Sequence, residues 1–109
     1  MRLRIIPALL VVIASLALGS ASFAAASEGA AQLFKSHCSM CHGPQGKGYK
    51  AIHTPDFTSA AWQAKTSNKK IVHAITYGVE GTAMPSFKSK LKAAQIQDLL
   101  HYIRSLGQK

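Results

Sequence analysis

"HCSMCHG", His37 to Gly43, gathers both cysteines of the 109-residue chain, two of its five histidines and one of its three methionines. Three chemistries use Cys-x-x-Cys. A thioredoxin-like redox pair sits beside a βαβ pattern, and this chain carries no alternating strand signal. A structural zinc site takes four ligands, commonly from two such clips, and no second clip follows. His42 decides the matter, because Cys-x-x-Cys-His is the attachment signature of c-type haem.

That chemistry needs this spacing. Thioether bonds from Cys38 and Cys41 to the haem vinyl groups fix the porphyrin against the segment, and His42 then offers an imidazole nitrogen to the iron. Within the same stretch His37 reads as a surface residue, and Met40 as a filler position of the clip on the His42 side of the ring. The following "PQGKGYK" reads as a turn-rich, positively charged loop.

Working outward, the chain opens "MRLRIIPALLVVIASLALGSASFAAASEG", with two arginines and then no charged residue from Ile5 through Ser27. A basic start, an apolar run and a small-residue end are the order of a secretory signal. It is predicted over residues 1–26, leaving a mature domain at 27–109 in the periplasm. Cleavage fits after Ala24 or after Ala26, the second preferred. The competing reading is an uncleaved membrane anchor, since Ile5 to Ala26 is about long enough to cross a bilayer as a helix.

The mature chain suffices for one domain but is short for a self-sufficient hydrophobic core. A disulfide closed across two residues would constrain little of the unfolded chain, whereas a covalent macrocycle supplies both a staple and a core centre. Removal of Arg2 and Arg4 leaves eleven basic residues against Glu28, Asp56, Glu80 and Asp98, a formal +7. An exported basic chain meets little nucleic acid, so the partner expected is an acidic protein surface or an anionic membrane face.

An electron carrier needs both axial positions filled in both oxidation states. Beyond the clip the candidates are His53, His73, Met84 and His101. His101 falls beside the apolar stripe Ile96, Leu99, Leu100, Ile103 and Leu106, and His73 sits on a helix capped by Ser67 and stopped at Gly78. Both read as ordinary helical histidines. Met84 lies in "GVEGTAMPSF", an irregular loop, because the residue before proline is steered away from helix. Core-filling methionines sit on periodic elements; one on such a loop can extend its sulfur over the ring, which makes Met84 the expected second ligand.

From about residue 28 to 107 the chain resembles a class I cytochrome c of the small bacterial monohaem type. The matching pieces are "LFKSHCSMCHG", "TPDF", the tryptophan at 62, "IVHAITYG", "AMPSF" and "LLHYIRSLG". The resemblance implies a low-spin haem with His42 and Met84 as axial iron ligands, Met ligation raising the potential relative to two histidines. It further implies that the Pro55 carbonyl accepts the other ring N–H of His42, fixing its tautomer and orientation. Trp62 and Tyr77 would line the haem environment, either reaching a propionate or simply packing. Phe34 and Tyr102 should meet where the first and last helices cross. The family often has glycine four residues before that aromatic; here Ala30 holds the place, with Gly29 one position early.

The expected fold is all-α, about four helices wrapped around one haem, near residues 27–41, 58–64, 68–77 and 93–106. Gly107 would close the last as a C′ residue, and the loops at 43–57 and 79–92 would wrap the haem edges. The expected function is that of a soluble monomeric carrier of single electrons, not an enzyme. Lys47, Lys50, Lys88, Lys90 and Lys92 would surround the exposed edge, as a docking ring for acidic donor and acceptor proteins or as solubilising charge. Two other classes stay open: the cytochrome subunit of a periplasmic dehydrogenase complex, and a ligand-binding or peroxidase-like protein with an open iron, which "AMPSF" disfavours.

Overall fold

The computed structural model describes residues 21–109, with side chains from Gly29 onward, and the isolated positions 2 and 15. The predicted signal, residues 1–26, therefore lies outside the described residues apart from the helical backbone of 21–26. Five α-helices follow in order: α1 (Ala21–His37), α2 (Ser39–His42), α3 (Ala60–Lys65), α4 (Asn68–Tyr77) and α5 (Ala93–Leu106), with a 3-10 turn at Lys50–Ile52. Among the described residues there is no strand, and no helix is long and apolar enough to cross a membrane.

Helix α5 forms where its apolar period predicts it, and all five stripe residues are buried, Leu99 completely. Each such side chain contributes about 2 kcal/mol by removal from water. Its start is fixed by the Lys92 amide donating to Gln95 Oε1 at 2.8 Å. Helix α4 begins at Ser67, whose hydroxyl accepts the Lys70 amide at 3.1 Å, satisfying one of the amides a helix start leaves unpaired. It buries Ile71 and Ile75 towards α5.

Helix α1 crosses α5 with Phe34 against Tyr102, ring centroids 5.1 Å apart. Ala30, only 3 % exposed, is the small residue at this crossing. Gly29 is exposed, with open space where a Cβ would stand. An alanine therefore suffices where the two helices approach.

The single helix expected at 27–41 is divided in two. The break falls at Cys38, where the Ser39 hydroxyl donates to the Lys35 carbonyl, the competition with the backbone ladder to which serine is prone. Gly107 also differs from expectation. Its φ is −74°, right-handed, so no left-handed cap forms. What it provides is room, because a Cβ there would stand 2.5 Å from Gln63 Cγ.

Candidate functional site

The backbone after the clip folds back on itself. The Gly48 amide donates to the His42 carbonyl at 2.8 Å and the Phe57 amide to the Gly46 carbonyl at 2.7 Å. Gly48, at φ 69°, is packed so closely that a Cβ would lie 2.5 Å from the carbonyl oxygens of both Thr54 and Pro55. The loop thus delivers Phe57 into the core directly beside the clip.

Cys38 is half-buried and packs against the core, whereas Cys41 is exposed; neither is in a disulfide. Burial, and secondarily the neighbouring Cys41, pushes the Cys38 thiol up to about 11. His42 is half-buried, and burial lowers its pKa, favouring the neutral imidazole that metals require. Its ring stacks on Phe57 with centroids 4.7 Å apart and planes at 21°. Met40 is 89 % exposed and His37 is exposed, its ring 5.9 Å from that of Phe87.

The hydrogen bond expected between His42 and Pro55 is not formed. His42 Nδ1 is the buried side-chain polar atom left without a partner among the described residues, and the Pro55 carbonyl instead lies against the Gly48 backbone.

The methionine loop is anchored to the end of α4. The last carbonyls of a helix lack intrahelical partners. Here Ile75 accepts from the Phe87 amide at 3.0 Å, and Thr76 from the Ser86 hydroxyl at 2.6 Å and the Lys88 amide at 3.2 Å. Inside the loop the Val79 amide donates to the Met84 carbonyl at 3.2 Å. Met84 is half-buried and packs against the same core as Cys38.

Trp62 is half-buried with its ring 4.7 Å from Phe57. Tyr77 is 57 % exposed, its ring 4.8 Å from His73 and beneath Lys88 Nζ at 5.3 Å. His53, His73 and His101 are all exposed. Lys47, Lys50, Lys88, Lys90 and Lys92 are exposed as well. No group of three or more His, Cys, Asp or Glu side chains gathers among the described residues, which leaves a tetrahedral zinc site without a ligand set there.

Cys38, Cys41 and His42 thus stand together at the start and along the length of α2, and the Met84 thioether packs against the core that Cys38 also touches. Residues 24–103 match the family described as cytochrome c oxidase, cbb3-type, subunit III. The chain belongs to this cytochrome c family. Its cofactor is haem c, covalently bound and carrying iron.

The chain is 31 % identical over 84 residues to the cbb3-type cytochrome c oxidase subunit CcoP of Cereibacter sphaeroides, covering 77 % of this chain and 29 % of that protein. To the corresponding subunit of Rubrivivax gelatinosus it is 34 % identical over 95 residues, 82 % of this chain and 30 % of that one. It spans less than a third of the length of these relatives. Among solved structures, the c-type cytochrome KustC0563 superposes with a TM-score of 0.65 at 31 % identity, covering 71 % of this chain and 95 % of the other.

Sequence reasoning gave no role to three residues. Phe57 stood within the quoted "TPDF", and an aromatic two places after the loop proline was the available signal. Gln63 and Arg104 form a network without any motif. The Arg104 guanidinium donates to Gln63 Oε1 at 2.8 Å, the Gln63 carbonyl at 2.9 Å, Asn68 Oδ1 at 2.8 Å and the Thr66 carbonyl. Gln63 Nε2 in turn donates to the Phe57 carbonyl at 2.7 Å and the Ile103 carbonyl at 3.0 Å.

Proposed function

We propose that this domain holds its haem through Cys38 and Cys41, binds the iron with His42 and Met84, and passes single electrons between redox partners. The observation that carries the reading is convergence on one core: Cys38 and Met84 pack against the same buried cluster, while His42 stacks on Phe57 within it. The bound iron stores one electron by cycling between ferric and ferrous. A neutral imidazole and a thioether exchange no proton as the electron moves. The hydrogen bonds from the Met84 loop to the end of α4 keep that ligand in place, and Phe34, Phe57 and Leu99 exclude water behind the clip.

In the same proposal residues 1–26 direct export and the domain works in the periplasm as a monomeric carrier. The exposed lysines at 47, 50, 88, 90 and 92 favour acidic partners. A second reading draws on the match of residues 24–103 to an oxidase-subunit family: the domain serves as the cytochrome subunit of an oxidase complex. Purification under mild conditions separates the two, yielding a free domain or a co-purifying complex.

The test of a carrier is a closed iron. The optical spectrum of the reduced holoprotein should be unmoved by carbon monoxide at neutral pH. Rapid formation of a carbon monoxide complex would contradict the reading and favour an open-site haem protein.

A further inference from the structure

Away from the clip, a groove of about 220 Å³ opens between α4 and α5, walled by Val72 and Thr76 of α4 and by Ala93 and Gln97 of α5. Leu91 and Ile96, both buried, form its floor. The lining is mostly apolar. The Thr76 hydroxyl donates to the Val72 carbonyl at 2.7 Å, so it asks nothing of a ligand. Lys88 also lines the groove, and its Nζ lies over the Tyr77 ring, 5.3 Å from the centroid, which carries the charge to the rim.

Size and charge together say what fits. Small-molecule pockets begin at about 300 Å³, whereas a cavity of about 150 Å³ already holds a benzene-sized group. The groove therefore suits one or two apolar side chains presented by a protein. Around it, α4, the 86–92 segment and the start of α5 expose Lys69, Lys70, Lys88, Lys90 and Lys92, against the single carboxylate of Asp98 on the three elements. An apolar anchor flanked by carboxylates is the complement of such a surface.

The groove is also joined to the methionine loop. The Thr76 carbonyl accepts from the Ser86 hydroxyl at 2.6 Å and the Lys88 amide at 3.2 Å, so one end of its wall is the joint that anchors the loop carrying Met84. We propose that the α4–α5 groove is the anchor site for an acidic redox protein, taking a leucine or phenylalanine side chain of that partner while the surrounding lysines hold the flanking carboxylates. This inference rests on the carrier reading and gives it a fixed docking point. Lysines alone attract an acidic surface in many orientations; a filled groove selects one.

The experiment uses reduced, isotope-labelled holoprotein at low ionic strength and two short peptides, one with Leu-Phe between pairs of glutamates and one with Ser-Ser in their place. Amide shifts on titration report where and how tightly each binds. The Leu-Phe peptide should move the amides of Val72, Thr76, Leu91 and Ile96 and bind about tenfold more tightly than its equally charged counterpart. Ala93→Glu puts bulk and a carboxylate into the wall at a first-turn position suited to an acidic residue, and should abolish that preference. Ala94→Glu adds the same charge at a neighbouring exposed position outside the groove; it should weaken both peptides together and leave the preference intact.

Equal binding of the two peptides to wild type, shifts that map elsewhere, or a preference that survives Ala93→Glu would overturn the inference. Phosphatidylglycerol vesicles that move these amides where the Leu-Phe peptide does not would overturn it in favour of a membrane surface. Rapid carbon monoxide binding by the same sample overturns the carrier reading and with it the redox role of the partner, whereas loss of the peptide preference overturns the groove alone.

Discussion

Gly78 runs directly against the Met84 carbonyl: a Cβ on Gly78 would stand 2.8 Å from that oxygen and 2.9 Å from the Pro85 carbonyl carbon. With φ at 77° the position also disfavours any side chain. The end of α4 and the methionine loop are therefore fitted to one another at a glycine. Gly78→Ala should cost about 2 kcal/mol, as overpacking a close contact does, and push the loop outward. In the oxidised holoprotein the weak long-wavelength sulfur-to-iron band should fade while haem stays covalently attached on a denaturing gel.

Arg104 ties the end of α5 to Gln63, Thr66 and Asn68. Arg104→Ala leaves two backbone carbonyls and Gln63 Oε1 without their charged donor, so stability should fall by about 2–3 kcal/mol. Arg104→Lys should recover only part of it, because an ammonium cannot reproduce the planar fork. Urea unfolding of both holoprotein variants, followed by far-ultraviolet circular dichroism, measures the order wild type, Lys, Ala.

Asp56 accepts from the Thr58 hydroxyl at 2.6 Å and the Thr58 amide at 2.9 Å. These hydrogen bonds, the hydroxyl first, hold its carboxyl below the ordinary value, with the Lys47 charge adding to them. A carboxyl whose folded pKa is depressed contributes stability above its unfolded pKa, and that contribution is lost as pH falls through the folded value. Melting temperature should therefore drop below about pH 4, and Asp56→Asn should show a smaller drop over the same range. Calorimetric scans near neutral pH and below that point compare the two proteins.

Lys88, Lys90 and Lys92 lie on the loop that carries Met84 or follows it, and all are exposed. If they steer acidic partners, the rate of electron transfer with a physiological donor should fall as salt rises, since screening acts over about 10 Å at 0.1 M. Replacing all three with Gln should lower the low-salt rate by about tenfold and flatten the salt profile. Stopped-flow rates across ionic strength decide between steering and mere solubilising charge.

The parts legible in the sequence are those encoded by local pattern. Helix α4 matches its expected range because Ser67 caps it and Gly78 ends it, and α5 because five apolar residues recur on one face. The clip announced a covalent haem, the cofactor of the family, through residue types with few alternative uses at that spacing. What stayed hidden depends on groups distant in the chain. Arg104 looks like a solvent-facing helix charge until the carbonyls at 63 and 66 are brought beneath it. The helix break at Cys38 turns on where the Ser39 hydroxyl points. The close pass of the Gly48 backbone against the Thr54 and Pro55 carbonyls depends on a loop path that no single residue specifies.

The central claim is that His42 and Met84 close the iron from its two faces. The optical spectrum of the oxidised holoprotein, wild type beside Met84→Ala, tests it most directly. The account predicts a low-spin wild type with the long-wavelength sulfur-to-iron band, and loss of that band in the variant with haem still attached. A high-spin wild type, or a band that survives Met84→Ala, would contradict it.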